Sequence, residues 1–309
     1  MTSPDQSAMH GAKIAVVGAG LMGHGIAQVF AEAGHPVSIH DPQPETLASV
    51  PARVAANLGI LGRDVAAAGR IRLQATLEAA VADAEFVFEA APEKLPLKQV
   101  IFAKLEKTVA AGTILASNTS VIPIMQIAAG LDTPGRVVGT HWWNPPYLVP
   151  LVEVVQAERT EPAVVQRTLA LLQAVGKEPV HVRRDIPGFV GNRLQHALLR
   201  EAFALVADGV CDAETVDRVV KSSFGPRLAV LGPMEGADYV GLDLALDVQE
   251  FILPDLDRSP TPSPYLSMLV EQGRLGMKTG AGFRSWDPEA AVRMRERLLR
   301  HLMNALGEA

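Results

Sequence analysis

The first forty-one residues of the chain commit it to a strand-turn-helix-strand unit. The apolar run Lys13-Ile14-Ala15-Val16-Val17 passes without a break into Gly18-Ala19-Gly20-Leu21-Met22-Gly23. Ile26, Val29 and Phe30 then recur at helical spacing until Gly34, and a second run, Val37-Ser38-Ile39-His40, ends at Asp41. In a chain with 26 glycines a G-x-G-x-x-G match alone means little; a buried strand before it and a helix after it give it meaning. Gly18 permits the tight turn, Gly20 the close approach of a pyrophosphate and Gly23 the packing of helix on strand. Asp41, 23 residues after Gly18, is placed to accept hydrogen bonds from ribose hydroxyls and to repel a 2′-phosphate. No Arg or Lys follows it until Arg53, so the expected cofactor is NAD rather than NADP.

The pattern continues. Short β-branched runs at 13–18, 37–40, 70–75, 86–89, 114–117, 137–140, 151–155 and 178–182 alternate with helical stretches, which predicts a mostly parallel sheet covered on both faces. Beyond Pro187-Gly188 the spacing is helical throughout, over 189–208, 212–223, 238–252, 263–273 and 288–306, with no convincing strand. Gly225-Pro226, Gly232-Pro233 and Pro260, Pro262 and Pro264 place loops between these helices. The expected fold is an α/β Rossmann dinucleotide-binding domain over 1–185, followed by an all-α domain over 186–309.

Composition excludes several function classes. A net charge of −6 without any basic run argues against nucleic acid or an anionic membrane surface as a partner. The single cysteine, Cys211, rules out an internal disulfide and any cysteine-based zinc site, and it is expected to pack as a small apolar residue. His24, His35, His40 and His196 lack metal-ligand spacing, so no metal is assigned. The opening Met1 to Ala12 is polar and reads as frayed, without a signal-peptide core, and no run approaches the roughly 18 apolar residues of a membrane span. A cytoplasmic location is the expectation.

Chemistry concentrates at the ends of later strands. Ala116-Ser117-Asn118-Thr119-Ser120 follows one, His141-Trp142-Trp143-Asn144-Pro145-Pro146 ends another, and Glu153 lies inside Leu151-Val152-Glu153-Val154-Val155. In open α/β sheets such positions meet at the ligand crevice. A histidine becomes a good general base when a carboxylate holds its second ring nitrogen, which makes His141 and Glu153 a candidate pair. Blander readings exist: Ser120 could cap a helix starting near Ile122, Asn192 could brace one, Glu93 and Lys98 could lie on a solvated helix face, and the two tryptophans read as pocket wall and packing. Dehydrogenases of the 6-phosphogluconate type share the glycine fingerprint but use a lysine base, which the His141 and Glu153 pair disfavours.

With Pro187-Gly188-Phe189-Val190-Gly191-Asn192-Arg193, Asp238-Tyr239-Val240-Gly241-Leu242-Asp243 and Gly276-Met277-Lys278-Thr279-Gly280-Ala281-Gly282-Phe283, these motifs resemble the 3-hydroxyacyl-CoA dehydrogenase family, in the family's order and over nearly the whole chain. The resemblance implies that His141 is the catalytic base, Glu153 its carboxylate partner, Ser120 a hydrogen-bond donor to the reacting oxygen and Asn192 an amide that polarises the substrate from the helical domain. It further implies that Gly18, Gly20, Leu21, Met22 and Gly23 form the phosphate loop, that Asp41 binds the ribose, and that Glu93, Lys98, Asn144 and Lys278 touch NAD. A homodimer is expected, with Ala197, Leu198, Ala202, Leu205 and Val206 at helical spacing.

Two departures bear on substrate. Acyl-CoA members carry a longer, lysine-rich hairpin after the second strand, whereas here no lysine occurs between Lys13 and Lys94, and Arg53, Arg63 and Arg70 are a thin provision for CoA phosphates. The stretch from Phe224 to Met234 is also long and contains Arg227, and this stretch and His141 to Tyr147 resemble the L-gulonate 3-dehydrogenase and λ-crystallin branch and dehydrogenases of small aromatic or pyridine carboxylic acids. The expected substrate is a small hydroxy or keto acid whose carboxylate is gripped by Arg227. A hydroxyacyl thioester is the alternative, and a non-enzymatic crystallin-like role the third reading.

Overall fold

The computed structural model describes residues 11–305, so that almost all of the polar opening and position 306 of the last expected helix lie outside the described residues. Eight strands form one sheet in the order β3-β2-β1-β4-β5-β6-β7-β8. The first half of the unit runs β1 (Ile14–Val17), α1 (Gly23–Glu32), β2 (Val37–His40), α2 (Pro44–Ala48), α3 (Val50–Ile60), β3 (Ile71–Leu73), α4 (Leu77–Val81) and β4 (Phe86–Glu89). It continues through α5 (Leu95–Thr108), β5 (Ile114–Ser117), α6 (Ile124–Ile127), β6 (Val137–Trp142), β7 (Leu151–Val155), α7 (Pro162–Ala174) and β8 (Glu178–Val182). All eight expected runs are strands.

The central strands β1, β4, β5 and β6 are buried at every position, as parallel strands covered by helices on both faces must be. Phe30 of α1, Phe88 of β4 and Trp142 of β6 form one aromatic cluster, with ring centroids 4.8 to 6.1 Å apart. Trp142 is therefore core rather than pocket wall. The pairing of β6 with β7 is antiparallel, and β8 follows β7 in parallel. Strand order reverses between β1 and β4, leaving a crevice beyond their carboxyl ends.

The chain divides into two compact units, one running to Arg193 and including the chain from Arg300, the other Leu194–Leu299. The sequence boundary at 185 falls eight residues earlier, because the segment after β8 and the first turn of the next helix are hydrogen-bonded to β7 and to the turn after β5. The remaining helices are α8 (Gly191–Ala207), α9 (Ala213–Ser222), α10 (Pro233–Val240), α11 (Leu242–Ile252), α12 (Pro264–Glu271) and α13 (Pro288–Ala305). The single helix expected over 238–252 is two. Gly241, at φ +104°, ends α10 and caps α11, a conformation that costs a residue with a side chain dearly. Isolated β-bridges join Gly276 to Ala281 and Ala281 to Ser285, strand-like pairing that the helical spacing did not suggest. In the second unit, among the described residues, only Leu269 and Ala291 are buried hydrophobics, while Phe251, Tyr239 and Val230 are at least 80% exposed.

Candidate active site

The antiparallel register of β6 and β7 sets His141 directly opposite Glu153. Their side chains meet, with Nδ1 of His141 2.7 Å from Oε2 of Glu153, and both residues are almost wholly buried, at 4% and 1% exposure. An ionised carboxylate only accepts, so Nδ1 carries the proton and a neutral ring presents its lone pair at Nε2. The second oxygen, Oε1, accepts from the backbone N–H of Val190 at 2.9 Å and of Gly191 at 3.0 Å. Burial pushes the Glu153 carboxyl up, but hydrogen bonds from His141, Gly191 and Val190, with the charge of His141, outweigh it and hold the group below its ordinary range.

The segment before α8 is built for this contact. Gly188 at φ +75° and Phe189 at φ +50° are consecutive left-handed residues that turn the next two amides toward Glu153. Left-handed backbone at a phenylalanine costs about 1–2 kcal/mol, which is offset by its fully buried ring, 5.9 Å from that of His141. Trp143 stands 5.0 Å from the imidazole, and a Cβ on Gly191 would run into its ring. Trp143 and Phe189 thus wall the imidazole.

Glu93 organises the turn after β5. Its Oε1 accepts from the Thr119 hydroxyl at 2.6 Å and from the backbone N–H of Ser120 at 2.9 Å and Val121 at 3.1 Å. Burial raises its carboxyl, yet these bonds and the charge of Lys98 leave it below the ordinary value. Thr119 caps the following turn by accepting from Ile122 N, so Ser120 is not the cap, and its hydroxyl forms no hydrogen bond among the described residues. Asn192 donates to the carbonyl of Ser120 at 2.8 Å, which joins it to the first unit rather than to the helical one.

Lys98 overturns its blander reading. Far from lying on a solvated helix face, it is fully buried, bonded to Oε1 and Oε2 of Glu89 at 2.7 and 3.0 Å and 3.5 Å from Oε2 of Glu93. Glu89, also fully buried, accepts from Ser117 Oγ at 2.6 Å and from Ala91 N at 2.7 Å. Sequence reading missed Glu89, although an acid closing the apolar run Phe86-Val87-Phe88 nine residues before a lysine was a signal.

At the mouth of β1 the glycines do what their positions require. Gly18 has φ +99°, and a Cβ there would lie 2.7 Å from the Ala90 carbonyl oxygen; a Cβ on Gly23 would collide with the Gly18 carbonyl. A Cβ on Gly20 would meet nothing within 4 Å, so the loop opens outward at that residue. Leu21 is exposed, Met22 packs against the core, and Asp41 accepts from Ala19 N at 2.7 Å and from Gln43 N at 2.8 Å. Arg53, distant in sequence, reaches the same loop and donates to the carbonyls of Ala19 and Gly20 at 2.9 and 2.8 Å. Asn144 is exposed just beyond β6, while Arg227 and Lys278 are exposed in the second unit, on 3-10 turns Gly225–Ala229 and Met277–Thr279.

An open loop at Gly20, tight packing under Gly18 and Gly23 and an acid ending β2 fit a dinucleotide without a 2′-phosphate. With a histidine facing the end of the same sheet, this defines the class: an NAD-dependent dehydrogenase acting on a hydroxyl group. The chain belongs to the 3-hydroxyacyl-CoA dehydrogenase family, whose NAD binding domain matches residues 13–186 and whose C-terminal domain matches 188–286. It is 36% identical over 296 residues to the 5-formyl-3-hydroxy-2-methylpyridine 4-carboxylate 5-dehydrogenase of Mesorhizobium japonicum, covering 94% of this chain and 96% of that protein. It is also 36% identical over 291 residues to a probable 3-hydroxybutyryl-CoA dehydrogenase of Bacillus subtilis, covering 90% and 99%. A crystal structure of 5-formyl-3-hydroxy-2-methylpyridine 4-carboxylic acid 5-dehydrogenase, an NAD+-dependent dismutase, superimposes with a TM-score of 0.88 at 33% identity, covering 94% of this chain and 96% of that one. No described helix is long and apolar enough to cross a membrane.

Proposed function

We propose that the protein transfers hydride between the secondary alcohol of a small hydroxy acid and NAD, with His141 and Glu153 as its acid–base pair. The geometry of that pair carries the mechanism. Bound NAD supplies the hydride acceptor. In oxidation the hydroxyl proton passes to Nε2 of His141 as the carbinol hydrogen leaves as hydride, giving a ketone and an imidazolium facing Glu153. Glu153 stabilises that cation and keeps the ring in the tautomer that accepts at Nε2. Ser120, whose hydroxyl is uncommitted, donates to the reacting oxygen, and Asn192 holds the Ser120 carbonyl and with it the turn. In reduction the proton moves the other way.

The small-acid reading rests on the cations after β2. Arg53 is bonded to the glycine loop, Arg63 to Glu32 Oε1 at 3.0 Å and Arg70 to the Ala31 carbonyl at 2.8 Å. These three are committed within their own unit, which leaves Arg72, exposed on β3, as the remaining arginine of the stretch, and no lysine is present there to add a partner for CoA phosphates. Arg227, exposed in its turn, is the cation proposed for the substrate carboxylate. The apolar surface of the second unit supports a homodimer. The test is a panel of carnitine, gulonate, 3-hydroxybutyrate, pyridine and aromatic hydroxy acids and 3-hydroxybutyryl-CoA, with NADH formation followed. Turnover of a free acid, with KM raised strongly in Arg227→Ala and NAD affinity unchanged, is the expected result. Turnover of the thioester alone would move the protein to the acyl-CoA branch, and no turnover of any substrate would favour a crystallin-like role.

A further inference from the structure

Arg53 has no place in the reading of the glycine loop from sequence, yet its side chain reaches from α3 to hydrogen-bond that loop. Its guanidinium spans two consecutive carbonyls, Ala19 and Gly20, and is steadied by Ser49 Oγ at 3.4 Å. Those carbonyls belong to the amides whose N–H groups are carried by Gly20 and Leu21. Neither N–H donates a hydrogen bond among the described residues, and both lie on the glycine loop that would cradle a diphosphate. The amide before them is held differently, its N–H on Ala19 being taken by Asp41.

We infer that Arg53 sets the strength of the diphosphate site by acting through these two peptide groups. A cation bonded to a carbonyl oxygen draws electron density from the amide and makes its N–H a stronger donor, and hydrogen bonds arranged in series reinforce one another. The guanidinium thereby passes positive charge through the loop to the diphosphate oxygens without standing on the phosphate side. It also locks the two peptide planes in one orientation, because a planar fork meets two acceptors where a point charge meets one. The imidazole of His24, with Nδ1 2.8 Å from the Gly20 carbonyl and against Arg53, completes the underside of the loop. Burial, aided by Arg53, depresses its basicity even though the Gly20 carbonyl favours the charged ring, so no second cation competes for that carbonyl near neutrality. Arg53 is a positioning residue for cofactor affinity, and hydride transfer does not involve it.

The prediction separates ligands that carry the diphosphate from one that does not. In the full-length protein, Arg53→Met should weaken ADP, measured by calorimetry, about 10-fold or more. Adenosine, followed by ligand-observed NMR, should stay within about twofold, since it has no group for the loop amides. NADH binding by fluorescence should track ADP, and Arg53→Lys should recover part of the loss, since an ammonium keeps the charge but spans one carbonyl. ADP binding within about twofold of wild type in Arg53→Met would overturn the proposal. Equal weakening of adenosine and ADP would overturn it as well, by showing that Arg53 shapes the ribose side. Should Arg53→Met fail to fold, Arg53→Lys decides alone: unchanged ADP affinity removes the proposal, and selective loss for ADP supports it.

Discussion

Glu153 joins His141 to the chain at the start of α8: one carboxylate oxygen takes the imidazole Nδ1, the other the N–H groups of Val190 and Gly191. A charge buried this deeply is held only where its lone pairs are filled, and here three donors fill them. The orientation of the proposed base therefore depends on the fold of a segment about fifty residues away in sequence.

Replacing His141 by Ala is expected to lower kcat by about 10²–10⁴-fold. NADH affinity should stay near wild type, because the base acts in the transition state and the dinucleotide loop lies elsewhere on the sheet. Stopped-flow hydride transfer and NADH fluorescence titration measure the two separately. A His141→Ala enzyme with near wild-type kcat removes the mechanism.

Glu153→Gln tests the carboxylate through pH. The folded group lies below its ordinary value, so its contribution to stability is present above that value and disappears as pH falls through the folded one. The stability gap between wild type and Glu153→Gln should be full above about pH 5 and narrow below about pH 4. Urea unfolding across that range is the measurement, and a gap independent of pH would mean that Glu153 is not charged in the folded protein. Turnover should also fall at neutral pH, through loss of the charge facing the imidazolium.

Lys98→Met removes a buried ammonium and leaves the carboxylates of Glu89 and Glu93 without their cation. Breaking a buried pair in this way typically costs about 3–5 kcal/mol. If Glu93 sets the turn that carries Ser120, kcat should fall by more than KM for NAD rises, and Glu93→Gln should show the same split. A stability loss with unchanged kcat would reduce the network to a structural one.

Asp41→Ala should weaken NAD and narrow the preference over NADP, because the carboxylate holds Ala19 N and, in the proposed cofactor site, would repel a 2′-phosphate. Comparison of kcat/KM for the two cofactors checks it. Equal or better use of NADP by the unaltered enzyme would contradict the role given to Asp41.

Local pattern alone determined the eight strands, the glycine loop and the acid at its flank, since the central parallel strands must be apolar on both faces and a strand end exposes its last residues to the crevice, whereas the antiparallel register that sets His141 against Glu153 came only with the fold. Periodicity also placed most helices, but it could not show that Gly241 breaks one of them, because a glycine is legible as a left-handed residue only once its φ is known. Tertiary structure decided the roles of Arg53, Lys98 and Asn192. Arg53 lies on the glycine loop, Lys98 is sealed between Glu89 and Glu93, and Asn192 holds the Ser120 turn of the first unit, across 5 to 72 residues of sequence. The reach of a lysine or arginine spans several candidate partners, and a buried charge must find the one that packing brings within a hydrogen bond.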